Sequence, residues 1–117
     1  MLRRAPGHGR GASAALVVHA ALPSLEREPG ARSAEADQTP RVGLAVPKAV
    51  GGSVVRNRVR RRLRALSAQR IGSWPTGSQV VIRALAPAAS TSFADLGAEL
   101  DRAAAVAFRR AGRAAGS

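Results

Sequence analysis

Few side chains in this 117-residue chain are equipped for covalent or acid–base chemistry. There is no cysteine, so thiolate nucleophiles, thiolate metal sites and disulfides are excluded. His8 lies in a Gly-rich start and is expected to be solvated. His19 alternates with apolar residues. It reads either as an ordinary half-buried sheet histidine or as a stacking platform, since imidazole rings stack on unpaired bases. Asp95 and Glu99 stand four apart on a helical pattern. Such a pair can hold a metal, but more often it is a solvated face near a helix start, where negative charge is mildly favourable. A protein nuclease needs clustered carboxylates or a histidine acid and base. Neither is gathered here, and no catalytic or metal-ligating residue is assigned.

What the chain has in abundance is fixed positive charge. Arg56-Asn57-Arg58-Val59-Arg60-Arg61-Arg62-Leu63-Arg64 places six arginines in nine residues. From Arg41 to Gln79 there are nine Lys or Arg and no Asp or Glu, within a formal net charge of +12. The acids are segregated: Glu26, Glu28, Glu35 and Asp37 fall in one polar stretch, and Asp95, Glu99 and Asp101 lie near the C-terminus. A rigid block of one sign repels itself unless a polyanion faces it, which points to nucleic acid. Arginine suits bidentate phosphate contacts. Aromatics are limited to Trp74, Phe93 and Phe108, so affinity is expected from charge more than from stacking. If about five arginines neutralise phosphates of a single strand, log K falls with log salt at a slope of roughly −3 to −4. Gly51-Gly52 matches no P-loop or dinucleotide fingerprint. A helix N-terminus there, beside Lys48 and Arg56, can still bind a phosphate through backbone N–H groups.

The elements that must position these residues follow from periodicity. Residues 1–12 are Gly- and Arg-rich and are expected to be loose, with a single domain over 13–112 and a disordered tail over 113–117. Ala15 to Leu22 reads as a strand, with Leu16 and Val18 on one face and Val17 and His19 on the other. Pro23 to Pro40 reads as an exposed connection, and Arg41 to Val46 as a second strand. Gly51-Gly52-Ser53 delivers a helix over Val54–Ala68, with Ser53 as its N-cap. Val55, Val59, Leu63 and Leu66 form its apolar stripe. Arg56, Arg60 and Arg64 make one row, with Asn57 and Arg61 beside it, and Arg58 and Arg62 a second row on the far flank. Ile71 to Ser78 is a loop anchored by Trp74, and Gln79 to Ala84 is a β-branched third strand. Ser92-Phe93-Ala94-Asp95 has the form of a capping box. It opens a last helix with Phe93, Leu96, Leu100, Ala104, Ala107 and Phe108 as its core side. The order β-β-α-β-α predicts an α+β fold, a small sheet packed by two helices. No apolar run approaches the roughly 18 residues of a membrane span, so a cytoplasmic protein is expected.

Arg41-Val42-Gly43-Leu44-Ala45-Val46-Pro47-Lys48, then Gly51-Gly52-Ser53-Val54, then the Arg-Asn-Arg helix, resembles the bacterial ribonuclease P protein subunit. The resemblance implies an accessory subunit of a ribonucleoprotein endoribonuclease that removes the 5′ leader of precursor tRNA. In that family the RNA subunit performs catalysis with magnesium ions, held mainly by the RNA itself. Lys48, Arg56, Asn57, Arg58, Arg61 and Arg62 would then contact RNA, joined by Arg60 and Arg64 of the same helix. Val17 and His19 would line the cleft for the single-stranded leader. The implied partners are ribonuclease P RNA and precursor tRNA, with no membrane and no small-molecule substrate. The resemblance also implies a left-handed βαβ crossover, against the usual hand.

The chain departs from that pattern. Seven residues precede His8-Gly9, where the family carries a basic, Phe-containing helix that walls the leader cleft, so leader binding is weakened or the start lies further upstream. Pro47, Ala49 and Gly52 stand where Ser or Gly, Lys and Asn are usual. Composition alone equally allows a structural RNA-binding protein such as a ribosomal component. A DNA-binding zipper fails, because no heptads follow Arg64 and Gly72 and Pro75 break the helix.

Overall fold

Four short runs have small or apolar residues at every other position at least, and each becomes a strand. The computed structural model describes residues 7–23 and 38–116. The strands are β1 (His8–Ala12), β2 (Leu16–Ala21), β3 (Arg41–Ala45) and β4 (Gln79–Ala84), and the helices are α1 (Ser53–Arg70) and α2 (Phe93–Gly116). Short 3-10 turns cover Lys48–Val50, Ile71–Ser73 and Ala86–Ser90. The sheet order is β1-β2-β4-β3. β2 runs antiparallel to β1 and β4, while β3 runs parallel to β4, the two being joined through α1. The α+β expectation of a small sheet packed by two helices therefore holds. Most of the expected connection between Pro23 and Pro40 lies outside the described residues.

One face of the sheet is apolar. Leu16, Val18 and Ala20 of β2 and Val80, Ile82 and Ala84 of β4 are buried on it, with Val42 and Leu44 of β3 packed alongside. Val59, Leu63 and Leu66 of α1 and Leu96, Leu100, Ala103, Ala104 and Ala107 of α2 complete the same core. The opposite face presents His8 and Arg10 of β1, Val17 and His19 of β2, Val81 and Arg83 of β4, and Arg41 of β3. No helix covers it among the described residues.

The expected loose N-terminus is corrected over His8–Ala12, which pairs with β2 from His8↔Ala21 to Ala12↔Val17. The cause is tertiary. Gly9 and Gly11 point at α2, where a Cβ would land on the carbonyl oxygens of Ala107 and Ala103. Arg110 Nη1 also donates to the Arg10 carbonyl at 3.1 Å. His8 is accordingly not solvated but half-buried, its ring 5.5 Å from that of His19. The expected tail is corrected too, since α2 runs on to Gly116.

Helix ends differ in detail from expectation. Gly52, not Ser53, is the N-cap of α1, and no side chain caps it. The preceding 3-10 turn closes with the Gly51 N–H on the Lys48 carbonyl, which brings the chain into the helix one residue early. Gly51 has φ 154°, and a Cβ there would meet Val55 Cγ1 at 2.9 Å. At α2 the cap is as expected on one side, with the Asp95 N–H donating to Ser92 Oγ at 3.1 Å. Phe93 is not core but 40% exposed. Helical side chains lean toward the N-terminus, so a ring on the first residue projects past the helix end. Phe108 is half-buried and meets Trp74 at 6.0 Å between ring centroids, which anchors the loop after α1.

Two acids fasten α2. Asp101 accepts from Arg70 Nε at 2.6 Å and Nη2 at 3.3 Å, tying α2 to the end of α1. Glu99 is not a solvated residue: its side chain is 14% exposed, and Oε1 accepts the Ala15 N–H at 2.9 Å. Hydrogen bonds from Ser13 and the Ala15 N–H, with Arg102 nearby, hold its carboxyl below the usual carboxylate range. A depressed folded pKa stabilises the fold above the unfolded value of about 4.3 and loses that effect as pH falls through the folded value. Glu99→Gln should therefore melt below wild type at neutral pH, and the gap should close as pH drops through the acid range. Melting temperature against pH measures this, and a gap that persists unchanged in acid refutes it. Gly11→Ala should lower the urea midpoint by an amount equivalent to about 1–3 kcal/mol. Gly43→Ala is the control, because its added Cβ would have its nearest neighbour at 3.8 Å.

Candidate nucleic-acid interface

The apolar stripe of α1 faces the sheet, and at about 100° per residue it directs the arginines to the two flanks and the outer surface. Arg56, Arg60 and Arg64 run along the flank that adjoins β3, and Arg60 and Arg64 share a groove with Val42, Leu44 and Ser67. The other flank, with Arg58 and Arg62, adjoins the segment before α2, where Arg62 Nη1 donates to the Thr91 carbonyl at 3.4 Å. Asn57 and Arg61 are exposed on the outer surface between the rows.

The arginines are not equivalent. Arg56 Nε is held by the Gly51 carbonyl at 3.1 Å, and Arg62 by Thr91. Arg58, Arg60, Arg61 and Arg64 have no ion pair or hydrogen bond within the described residues. No acid stands in α1, and Asp101 meets it at its last residue, Arg70, away from the arginine block. Arg56, Arg58, Arg60 and Arg62 are half-buried along their stems, whereas Arg61 and Arg64 are exposed. Lys48 is exposed in the 3-10 turn that precedes the helix. With no acid in the first turn and no side-chain cap, the leading N–H groups of α1 are open to an anion. The whole arrangement is a set of guanidinium groups carried in rows on one docked helix, four residues apart within each row.

Val17 and His19 lie elsewhere, on the helix-free face. Val17 stands between Ala12 of β1 and Arg83 of β4 and is 7% exposed. His19 is half-buried between Arg10 and Val81, and Val81 is 44% exposed. The structure thus does not join these two residues to the arginine helix; the sheet separates them. It does bring Arg10, Arg41, Arg83 and His8 to their side, and sequence reasoning had not selected these four. The signal was strand alternation, which assigns a face only once register is known.

A magnesium ion does not fit the carboxylates at hand. Glu99 is bonded to the Ala15 N–H and Asp101 to Arg70, and no group of three or more His, Cys, Asp or Glu comes together among the described residues.

Fold and surface together define a small basic α+β protein whose arginine helix suits a polyanion such as a nucleic acid. A family profile described as Ribonuclease P matches residues 7–107. The "Ribonuclease P protein component" of Salinispora tropica is 46% identical over 112 residues, covering 90% of this chain and 80% of that protein. That of Thermobifida fusca is 54% identical over 67 residues, covering 57% of this chain and 46% of that protein. Among solved structures, the ribonuclease P protein of Staphylococcus aureus superposes with a TM-score of 0.65 at 18% identity, covering 85% of this chain and 80% of that one. That of Thermotoga maritima gives 0.62 at 18% identity over 87% and 83%. The chain belongs to the ribonuclease P protein family. No helix among the described residues is long and apolar enough to cross a membrane.

Because Arg58 and Arg61 have no partner among the described residues, Arg58→Ala and Arg61→Ala should each weaken RNA binding and shallow the salt slope by roughly 0.7, with the melting temperature unchanged. Arg62→Ala should lower both affinity and melting temperature, since it also releases Thr91. Filter binding across a salt series, with thermal melts, checks all three. Unaltered slopes for Arg58→Ala and Arg61→Ala mean that this part of the helix faces solvent in the complex.

Proposed function

We propose that the chain acts as the protein subunit of ribonuclease P, in the cytoplasm, with ribonuclease P RNA and precursor tRNA as its partners. α1 docks on the catalytic RNA, and Arg58, Arg60, Arg61 and Arg64 neutralise phosphates that would otherwise repel one another. The RNA makes the endonucleolytic cut with its own magnesium ions, and no protein side chain takes part in bond breaking. The helix-free face receives the single-stranded 5′ leader, with His19 and Val81 as its apolar and ring contacts and Arg10 and Arg83 beside them as phosphate partners. The observation that carries this reading is the set of four arginines on one docked helix that are unpaired among the described residues. Membership of the ribonuclease P protein family supports it and disfavours a ribosomal component.

Reconstitution decides it. Cognate RNA subunit and precursor tRNA at low magnesium should cleave faster when this chain is added, and no gain removes the assignment. In the reconstituted enzyme, His19→Ala should raise KM for a long-leader substrate and leave a short-leader substrate unaffected. A loss independent of leader length takes the helix-free face out of leader binding.

A further inference from the structure

The groove between β3 and α1 has a composition that phosphate neutralisation alone does not require. It holds about 170 Å³ and is lined by Val42, Leu44, Arg60, Arg64 and Ser67. Val42 and Leu44 are half-buried residues of the outer strand and supply an apolar wall. Arg60 and Arg64 stand one helical turn apart on the other wall, without a partner among the described residues. Ser67 is 4% exposed, and its hydroxyl is buried with no hydrogen-bond partner among those residues. A buried hydroxyl is ordinarily satisfied, and an orphan one calls for an explanation. Ser67 lines the groove, and its hydroxyl is the polar group nearest to hand for a ligand there.

We propose that this groove is a binding pocket for a single unpaired pyrimidine nucleotide of the RNA that α1 grips. The inference rests on the RNA-binding reading above and adds the identity of one recognition element. The base lies against Val42 and Leu44, and its polar edge is met by the Ser67 hydroxyl. Its phosphate sits between Arg60 and Arg64. Size favours a small base: the roughly 170 Å³ of this open groove is on the scale of the apolar cavity of about 150 Å³ that accommodates benzene, one six-membered ring. Chemistry selects the class. Two guanidinium groups with no carboxylate opposite them among the described residues favour an anion, and an aliphatic wall beside them favours an apolar, flat neighbour. RNA offers both in one unit wherever a base leaves the stack. The pocket lies on the helix side of the sheet, opposite Val17 and His19, so it is distinct from the proposed leader surface.

The test titrates the full chain with uridine 5′-monophosphate while following Val and Leu methyl and backbone amide resonances. Inorganic phosphate, uridine and adenosine 5′-monophosphate are run as separate arms. Uridine 5′-monophosphate should shift the Val42 and Leu44 methyls and the Ser67 amide saturably and more strongly than the adenosine nucleotide does. Phosphate should perturb Arg60 and Arg64 and leave the methyls in place. In parallel, Leu44→Trp fills the groove and keeps every arginine. Its affinity for ribonuclease P RNA should fall on the order of tenfold, the scale of one lost base contact, with the salt slope intact. Val42→Phe repeats the measurement should Leu44→Trp not fold. Methyls that ignore the nucleotide, or a filled groove that binds the RNA as wild type does, overturn the pocket and leave the broader reading standing. A wild-type chain that does not bind ribonuclease P RNA at all sinks both.

Discussion

The burial of Val59, Leu63 and Leu66 against the sheet is what allows α1 to exist in the form it has. Arg56, Arg60 and Arg64 are like charges four residues apart, as are Arg58 and Arg62, and every such pair disfavours an isolated helix. Capping does not offset this, because the first turn carries neither an acid nor a side-chain cap. Each fully buried aliphatic side chain contributes about 1.5–3 kcal/mol. Three of them on one stripe outweigh several repulsive surface pairs of a few tenths each. The helix is thus a strained electrostatic object held by its aliphatic edge, and its guanidinium groups are presented at fixed spacing because the opposite side is clamped.

The acids serve that clamp without discharging it. Asp101 takes Arg70 at the end of α1, and Glu99 takes the main chain at the β1–β2 turn. Both bonds hold α2 in place against β1 and α1, and neither reaches the arginine block. Gly97 allows the helices to meet, since a Cβ there would come within 2.9 Å of Arg70 Nη2. Negative charge is therefore used where it joins elements and is kept out of the surface that must stay positive. The sheet completes the separation, with its apolar face given to the helices and its other face left to Arg10, Arg41, Arg83 and the two histidines.

Much of this was legible from residue types. The stripe of α1, the alternation of β2 and β4 and the segregation of charge are local patterns, and local patterns survive into the fold. β1 was not legible, because His-Gly-Arg-Gly-Ala contains no β-branched or large apolar residue; it is a strand because α2 lies flat on its two glycines. Glu99 looked like half of a solvated pair, since its partners at Ser13 and Ala15 are more than eighty residues away. For the same reason the sequence offered six equal arginines. The difference between Arg62 and its neighbours rests on a carbonyl at Thr91, which no spacing rule brings near.

That inequality bears on how such a surface works. An arginine already bonded to a carbonyl loses that contact when it turns to a phosphate, so its net gain is small. An unpartnered arginine on a docked helix gives up only water and releases the repulsion of its neighbours. In the proposed complex, binding energy would therefore be concentrated on Arg58, Arg60, Arg61 and Arg64, and the same event would relieve repulsion within the protein. RNA that prefers this fixed array over the unfolded chain must stabilise the fold through linkage. A basic helix with acids placed opposite it would be more stable alone and would bind less, because every ion pair made within the protein is one that the RNA would have to break.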